Sequence, residues 1–241
     1  MGHPLLYFPR VASTMDMARR EVERGAAEGT VVMAGEQTSG RGRQGRTWLS
    51  PEGGLALSII LRPSLSHLTA IAMIVPLAVV GAVRRATGLE TGIKWPNDVL
   101  LCGKKLCGVL VESGLRGRQV DYAIAGLGIN VNLDPNAWPE IAEIAISLST
   151  ALGRPLTVEE VLCPLLEELD RLYLALRAGE PVHTEWQAHL ETNGQRVGVR
   201  GPGWQEEGVV EGVDPDGSLL LRCDNGTLCR LFSGEVISLR S

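Results

Sequence analysis

Four apolar segments crowd into the stretch from Ile93 to Asn132: Ile93–Trp95, Val99–Cys102, Leu106–Glu112 and Val120–Asn132. Only turn signals separate them, at Pro96-Asn97-Asp98, at Cys102-Gly103 and from Gly114 to Gly117. Connections that short cannot carry the crossover a parallel pair requires, so the segments are predicted to be close-set antiparallel strands. Upstream, Thr30–Ala34 leads as a strand to Gln37, and Leu55–Leu61 reads as a second, fully buried strand. Helices are predicted around this sheet. Ser13 with Asp16 resembles a capping box opening one over about 14–25, and a long apolar helix near 67–87 is closed by Gly88. Thr157 with Glu160 forms a second capping box, for a helix to about 178, and Pro181 starts another to about Leu190. The expected class is α+β, a mixed and largely antiparallel sheet flanked by helices.

After Gly194 the texture changes to short alternating strands with turns at Gly201-Pro202-Gly203, Asp214-Pro215-Asp216-Gly217 and Asp224-Asn225-Gly226. This predicts two domains, a large one over 1–190 and a small C-terminal β-barrel over 191–241. A module of this size needs staples or a larger neighbour to pack against.

Charge narrows the function. The 241 residues carry 23 Lys plus Arg against 28 Asp plus Glu, a net charge of −5, which argues against a nucleic-acid binder driven by bulk charge. The longest apolar run, Leu68–Val83, is broken by Thr69, Pro76 and Gly81 and is shorter than the roughly 20 residues of a membrane span. No signal peptide is visible, because Pro9 and Arg10 interrupt Leu5–Phe8. The cysteines Cys102, Cys107, Cys163, Cys223 and Cys229 form no Cys-x-x-Cys pair, and His3, His67, His183 and His189 are scattered. The expectation is a reduced, cytoplasmic protein with no membrane partner, no disulfide framework and no protein-built zinc site.

Chemistry concentrates in two places. Gly40-Arg41-Gly42-Arg43-Gln44-Gly45-Arg46 satisfies a dinucleotide-binding glycine pattern after a strand, but Thr47-Trp48-Leu49-Ser50-Pro51 and another strand follow it where a helix is required. A Rossmann site is therefore set aside. The glycines still let backbone N–H groups approach an anion, and the three arginines supply forks that match phosphate or carboxylate. A solvated basic loop and an arginine-glycine nucleic-acid patch remain the alternatives. Basic residues are otherwise almost all Arg, since Lys94, Lys104 and Lys105 are the only lysines. Two flank a proline-fixed turn, Lys94-Trp95-Pro96-Asn97-Asp98, and the strand Lys105-Leu106-Cys107-Gly108-Val109-Leu110-Val111-Glu112. Their clustering favours a binding site over solvated edge lysines and an ordinary turn.

Taken in order, Gln37 with the glycine-arginine loop through Trp48, the Lys94–Asp98 turn, the Lys105–Glu112 strand and Gly126-Leu127-Gly128-Ile129-Asn130-Val131-Asn132 resemble the biotin–protein ligases. The resemblance implies a catalytic fold like that of class II aminoacyl-tRNA synthetases with a C-terminal SH3-like barrel. It further implies activation of biotin by MgATP to biotinyl-5'-AMP and pyrophosphate, then transfer to a lysine of a biotin carboxyl carrier protein of a carboxylase. The Mg2+ would travel with the ATP phosphates, with no protein side chain assigned as its ligand. By this analogy Ser13, Thr14, Gln37, Gly40, Arg41, Gly42, Arg43, Lys105 and Gly108 would bind biotin and its adenylate. Arg41, Arg46, Trp48, Asn97, Lys105 and Asn130 would meet ATP, and Lys105, Arg43 and Asp98 would carry the chemistry, with Asp98 facing the carrier lysine.

One departure stands out: Met15 occupies the position where the family usually has Asn after the Ser-Thr pair. The motifs begin at Ser13, which leaves no room upstream for a helix-turn-helix domain, so the monofunctional class without operator binding is expected. A homodimer on a sheet edge is implied by resemblance alone. The alternative enzyme is a lipoate or octanoate ligase of the same fold, and a binding protein without turnover is the alternative outside enzymes.

Overall fold

The computed structural model describes residues 1–238. In chain order the larger part holds β1 (Leu5–Val11), α1 (Thr14–Glu23), β2 (Val31–Gln37), β3 (Leu55–Leu61), α2 (Leu68–Thr87), β4 (Gly92–Lys94), β5 (Asp98–Leu101), β6 (Lys104–Arg116) and β7 (Gln119–Ile129). Helices α3 (Leu148–Leu152), α4 (Val158–Arg177) and α5 (Val182–Ala188) complete it. The C-terminal part is all β: β8 (Arg196–Gly201), β9 (Trp204–Val213), β10 (Leu219–Cys223), β11 (Leu228–Leu231) and β12 (Glu235–Ser238).

The first sheet runs β1-β2-β3-β7-β6-β5-β4. Its β4 to β7 neighbours are all antiparallel, as the short connections dictate. One pair makes the sheet mixed: β1 lies parallel to β2. Strand β1 escaped the sequence reading because Pro9 and Arg10 break its apolar run, and a proline is tolerated there because β1 is an edge strand. Strand β6 also runs through Gly114 to Arg116, so the turn falls at Gly117, three residues beyond the start expected for it.

Strand β3 is buried at all seven residues because both sheet faces are covered. Leu55, Leu57, Ile59 and Leu61 join α2 and α4 in the main core. Ile60 packs with Met15, Ala18, Val32 and Ile124 under α1. Helix α2 is long and apolar enough by composition to cross a membrane, yet most of it is buried between the sheet and α4, which identifies a core helix. It extends beyond the apolar run to Thr87 and ends at Gly88, whose φ of 74° closes the last turn.

The two expected capping boxes part company. At α4, Thr157 Oγ1 accepts from Glu160 N while Glu160 Oε2 accepts from Thr157 N, the reciprocal pair predicted. Ser13 caps α1 by position only, with no side-chain bond, and Asp16 is drawn instead to Arg41 at 2.8 Å.

The C-terminal strands form one antiparallel sheet in the order β11-β10-β9-β8-β12. One hydrogen bond docks it beside the β4–β5 turn and another against α5. Trp95, buried in the larger part, donates from Nε1 to Gly217 O at 3.0 Å, and Val213 N donates to Gln187 Oε1 at 3.4 Å. Trp95→Phe keeps an aromatic ring but removes the pyrrole half of the indole with its N–H, leaving the Gly217 carbonyl without that donor. Equilibrium unfolding in urea is expected to show a loss of about 1–3 kcal/mol.

Candidate functional site

The glycine-arginine segment is a closed hairpin. Trp48 N donates to Gly40 O at 2.9 Å, Gly42 N to Arg46 O at 2.7 Å and Arg46 N to Arg43 O at 3.2 Å. At its tip Gln44 and Gly45 both have positive φ, 56° and 73°, the requirement of a type I′ turn. No helix follows because the chain doubles back on itself. Gly40 is a hinge of this hairpin, since a Cβ there would sit 2.5 Å from Trp48 O.

The hairpin lies over the middle of the sheet. Gly108 on β6 and Gly128 on β7 are direct cross-strand partners, and the Trp48 indole occupies the space above them. A Cβ at Gly128 would come within 2.3 Å of Trp48 Nε1, and one at Gly108 within 2.9 Å of the ring. Beneath Met15 the same device recurs at Gly126, where a Cβ would meet the thioether at 2.5 Å. The result is an open cleft whose floor is these glycines and whose walls are the hairpin and the β4–β5 turn.

Its chemistry is graded across the sheet. On the β2 side, Gln37 Oε1 accepts from Thr14 N at 2.8 Å and from Thr14 Oγ1 at 3.1 Å, and Ser58 Oγ donates to Thr14 Oγ1 at 2.8 Å. This chain fixes the amide so that the Gln37 Nε2 donors are left without a partner among the described residues. The buried Ser13 hydroxyl, which lines the same cleft, is also unpaired. A buried hydroxyl without a partner is costly unless a ligand completes it.

On the β5 and β6 side stand Lys94, Lys105, Arg43 and Arg46, with Asp98 and Glu235 as counterions. Lys105 Nζ lies 2.8 Å from Asp98 Oδ1 and 5.5 Å from the Trp48 ring centroid. The Asp98 contact is ionic, without hydrogen-bond alignment. Arg43 Nη1 donates to Asn97 Oδ1 at 3.2 Å, and Asn97 Nδ2 donates to Val109 O at 2.6 Å. Burial pulls the Arg43 guanidinium below its ordinary pKa, Asp98 counters this and Arg46 adds to it. Arg41 is held by Asp16 at 2.8 Å and lies 3.8 Å from Glu112. Arg46 makes a two-pronged contact to Glu235 of the C-terminal sheet, which holds that carboxyl below the usual carboxylate range.

Most of the residues expected to bind or react converge here: Ser13, Thr14, Gln37, Arg41, Gly42, Arg43, Arg46, Trp48, Asn97, Asp98, Lys105 and Gly108 all line the cleft. Two do not. Gly40 acts through the hairpin closure. Asn130 lies outside the cleft with its Nδ2 on Lys105 O at 3.3 Å and Ile146 O at 3.1 Å, so its amide braces the strand that carries Lys105. Lys104, one residue from Lys105, faces away by strand alternation. Sequence reasoning passed over Glu235 and Gly128 as site residues. The signal for Gly128 was its pairing with Gly108, which becomes visible only with the register; Glu235 comes from another module.

Residues 7–130 match the Biotin/lipoate A/B protein ligase family, and residues 192–238 match the biotin protein ligase C-terminal domain. The chain is 35% identical over 242 residues to the bifunctional ligase/repressor BirA of Bacillus subtilis, covering 98% of this chain and 74% of that protein. It is 30% identical to the biotin–[acetyl-CoA-carboxylase] ligase of Mycobacterium tuberculosis, covering 95% and 86%. Its fold superposes on the biotin protein ligase of Aquifex aeolicus in complex with biotin and ATP with a TM-score of 0.83 and 31% identity, covering 98% and 99%. The chain therefore belongs to the biotin/lipoate protein ligase family. Within that family it carries both the catalytic and the C-terminal domain of the biotin protein ligases.

Gly128→Ala tests the glycine floor. The added methyl must lift the Trp48 indole, and amide hydrogen exchange over 40–48 is expected to rise roughly ten-fold or more while the strands of the main core stay protected.

Proposed function

We propose that this chain is a biotin–protein ligase: it joins biotin to ATP as biotinyl-5'-AMP, releases pyrophosphate, and passes the biotinyl group to a lysine of a biotin carboxyl carrier protein. The observation that carries the reading is the gradient across the cleft, from unpaired hydroxyl and amide groups at Ser13 and Gln37 to the cations at Arg43, Arg46 and Lys105. A ureido ring needs donors and acceptors at one end of its site, and an acyl phosphate needs positive charge at the other. Residues 1–190 would form the catalytic domain and 191–241 the small β domain that lends Glu235.

In the first half-reaction a biotin carboxylate oxygen attacks the α-phosphorus and pyrophosphate leaves. Both partners are anions, so the protein's task is to align them and offset charge. Arg41, Arg43 and Lys105 do this along the acyl phosphate, each charge-assisted contact contributing about 1.5–3 kcal/mol. Arg46 meets the nucleotide, with Trp48 as an aromatic platform beside it. Asn97 acts through Arg43, which it orients, and Asn130 through the Lys105 strand. Mg2+ bound with ATP would supply further charge neutralisation at the phosphates. The nearest carboxylates, Asp98 and Glu235, are already paired with Lys105 and Arg46.

The second half-reaction follows from the Lys105–Asp98 pair. When Lys105 turns to the phosphate, Asp98 loses its counterion and becomes free to receive the carrier's lysine ammonium and take its proton. The amine nitrogen then attacks the acyl carbonyl and AMP leaves. Met15 gives the biotin end of the cleft an apolar thioether wall over Gly126. The free cysteines fit a reducing, cytoplasmic setting.

Pyrophosphate release from MgATP should require biotin, with biotinyl-AMP retained on the protein. Release driven by lipoate or octanoate instead would assign the chain to that branch of the family. Lys105→Ala should slow adenylate formation by roughly 100-fold or more. Asp98→Ala should form adenylate within a few-fold of the parent yet transfer poorly from preformed adenylate, a split readable in single-turnover assays.

A further inference from the structure

The cysteines form no Cys-x-x-Cys pair in sequence, yet the fold brings two of them together. Cys223 ends β10 and Cys229 lies in β11, six residues apart in sequence and joined by a turn in which Cys223 N donates to Thr227 O at 2.9 Å and Gly226 N to Cys223 O at 2.9 Å. The register pairs Leu221 with Cys229, so Leu221, Cys223 and Cys229 share one face of the sheet. On β9, Gly208 is the partner of Cys223, which puts Glu206, two residues earlier, on that same face. Gly208 has no side chain to fill the corner between them. The two sulfurs are 3.1 Å apart, and Glu206 Oε2 is 4.0 Å from Cys223 Sγ. All three ligand atoms lie within 4.8 Å of one another.

The surrounding charges single out Glu206. Its neighbours Glu207 and Asp224 both face Arg196, Asp224 at 2.5 Å and Glu207 at 3.9 Å. Among the described residues Glu206 has no cationic partner, and its side chain is turned to the thiols. We propose that Cys223, Cys229 and Glu206 form a binding site for a thiophilic divalent cation, with zinc as the best match, that ties β9, β10 and β11 together at the end of the C-terminal sheet.

Two thiolates and one carboxylate suit zinc in preference to calcium or magnesium, which take oxygen ligands. Tetrahedral Zn–S bonds of about 2.3 Å place two sulfurs about 3.8 Å apart, so the pair needs to open by less than 1 Å. Each thiol releases its proton to water and donates a sulfur lone pair to the ion; no electron transfer is involved. Three protein ligands leave a fourth position for water. The benefit is structural, because a small module lacks the core to hold its strands firmly and metal binding adds directly to folding free energy. None of the three residues lines the cleft, and the site is independent of the ligase reading.

The experiment is a Co2+ titration of the full chain, reduced and stripped of metal, followed by Zn2+ competition. One equivalent should bind with thiolate-to-cobalt charge-transfer absorption and tetrahedral d–d bands, and Zn2+ should abolish both. The double variant Cys223→Ser/Cys229→Ser should lose the charge-transfer bands, whereas Cys102→Ser/Cys163→Ser should keep the full titration. Glu206→Gln, at an exposed position that tolerates the change, should bind at least ten-fold more weakly and carries the test should the double variant not fold. A parent protein without charge-transfer bands, bands that persist in the Cys223/Cys229 variant, or unchanged affinity in Glu206→Gln overturns the proposal.

Discussion

The cleft exists because two strands come together with no side chains at their meeting point. Gly108 and Gly128 are opposite each other across β6 and β7, and the Trp48 indole lies on the flat surface they leave. Much else is placed by that fit. The indole anchors the hairpin from Gly40 to Trp48, the hairpin sets the positions of Arg41, Arg43 and Arg46, and Lys105 rests its ammonium against the same ring. A methyl group at either glycine would move a ring, then a loop, then the charges that the loop presents.

The molecule supports this delicate arrangement with an over-determined frame. Strand β3 is buried on both faces, α2 is buried along most of its length, and the asparagines that end the β7 motif are spent on backbone. Asn132 clamps Leu156 through both its amide groups at 2.8 and 3.0 Å. Such polar staples in a dry interior rigidify the strand ends that carry the reactive residues. The second module adds one contact of a different character. Glu235 reaches Arg46 at an exposed position, where an ion pair contributes roughly 0–1 kcal/mol, so it can be exchanged readily.

Much of this was legible in the residues. The short turns between Ile93 and Asn132 dictated antiparallel pairing, Thr157 and Glu160 announced α4, and the ordered motifs brought twelve of the expected site residues to one cleft. What stayed hidden depended on register or on another part of the chain. Edge strand β1 carries a proline that conceals it. Ser13 and Asp16 mimic a capping box while serving the cleft. Asn130 stands in a motif full of site residues yet turns its amide to Lys105 O. Cys223 and Cys229 share no recognisable spacing, and only the β10–β11 hairpin makes them neighbours.

Three of the cleft's cations are already partnered before any ligand arrives: Arg41 with Asp16, Arg46 with Glu235, Lys105 with Asp98. A phosphate entering the site therefore takes over existing ion pairs, and each carboxylate it displaces is released to solvent or to a new task. Because few free counterions are expelled in such an exchange, ligand affinity should respond only weakly to ionic strength. Departure is eased in the same measure, since Arg41, Arg46 and Lys105 each have a carboxylate waiting within a side chain's reach when the product leaves.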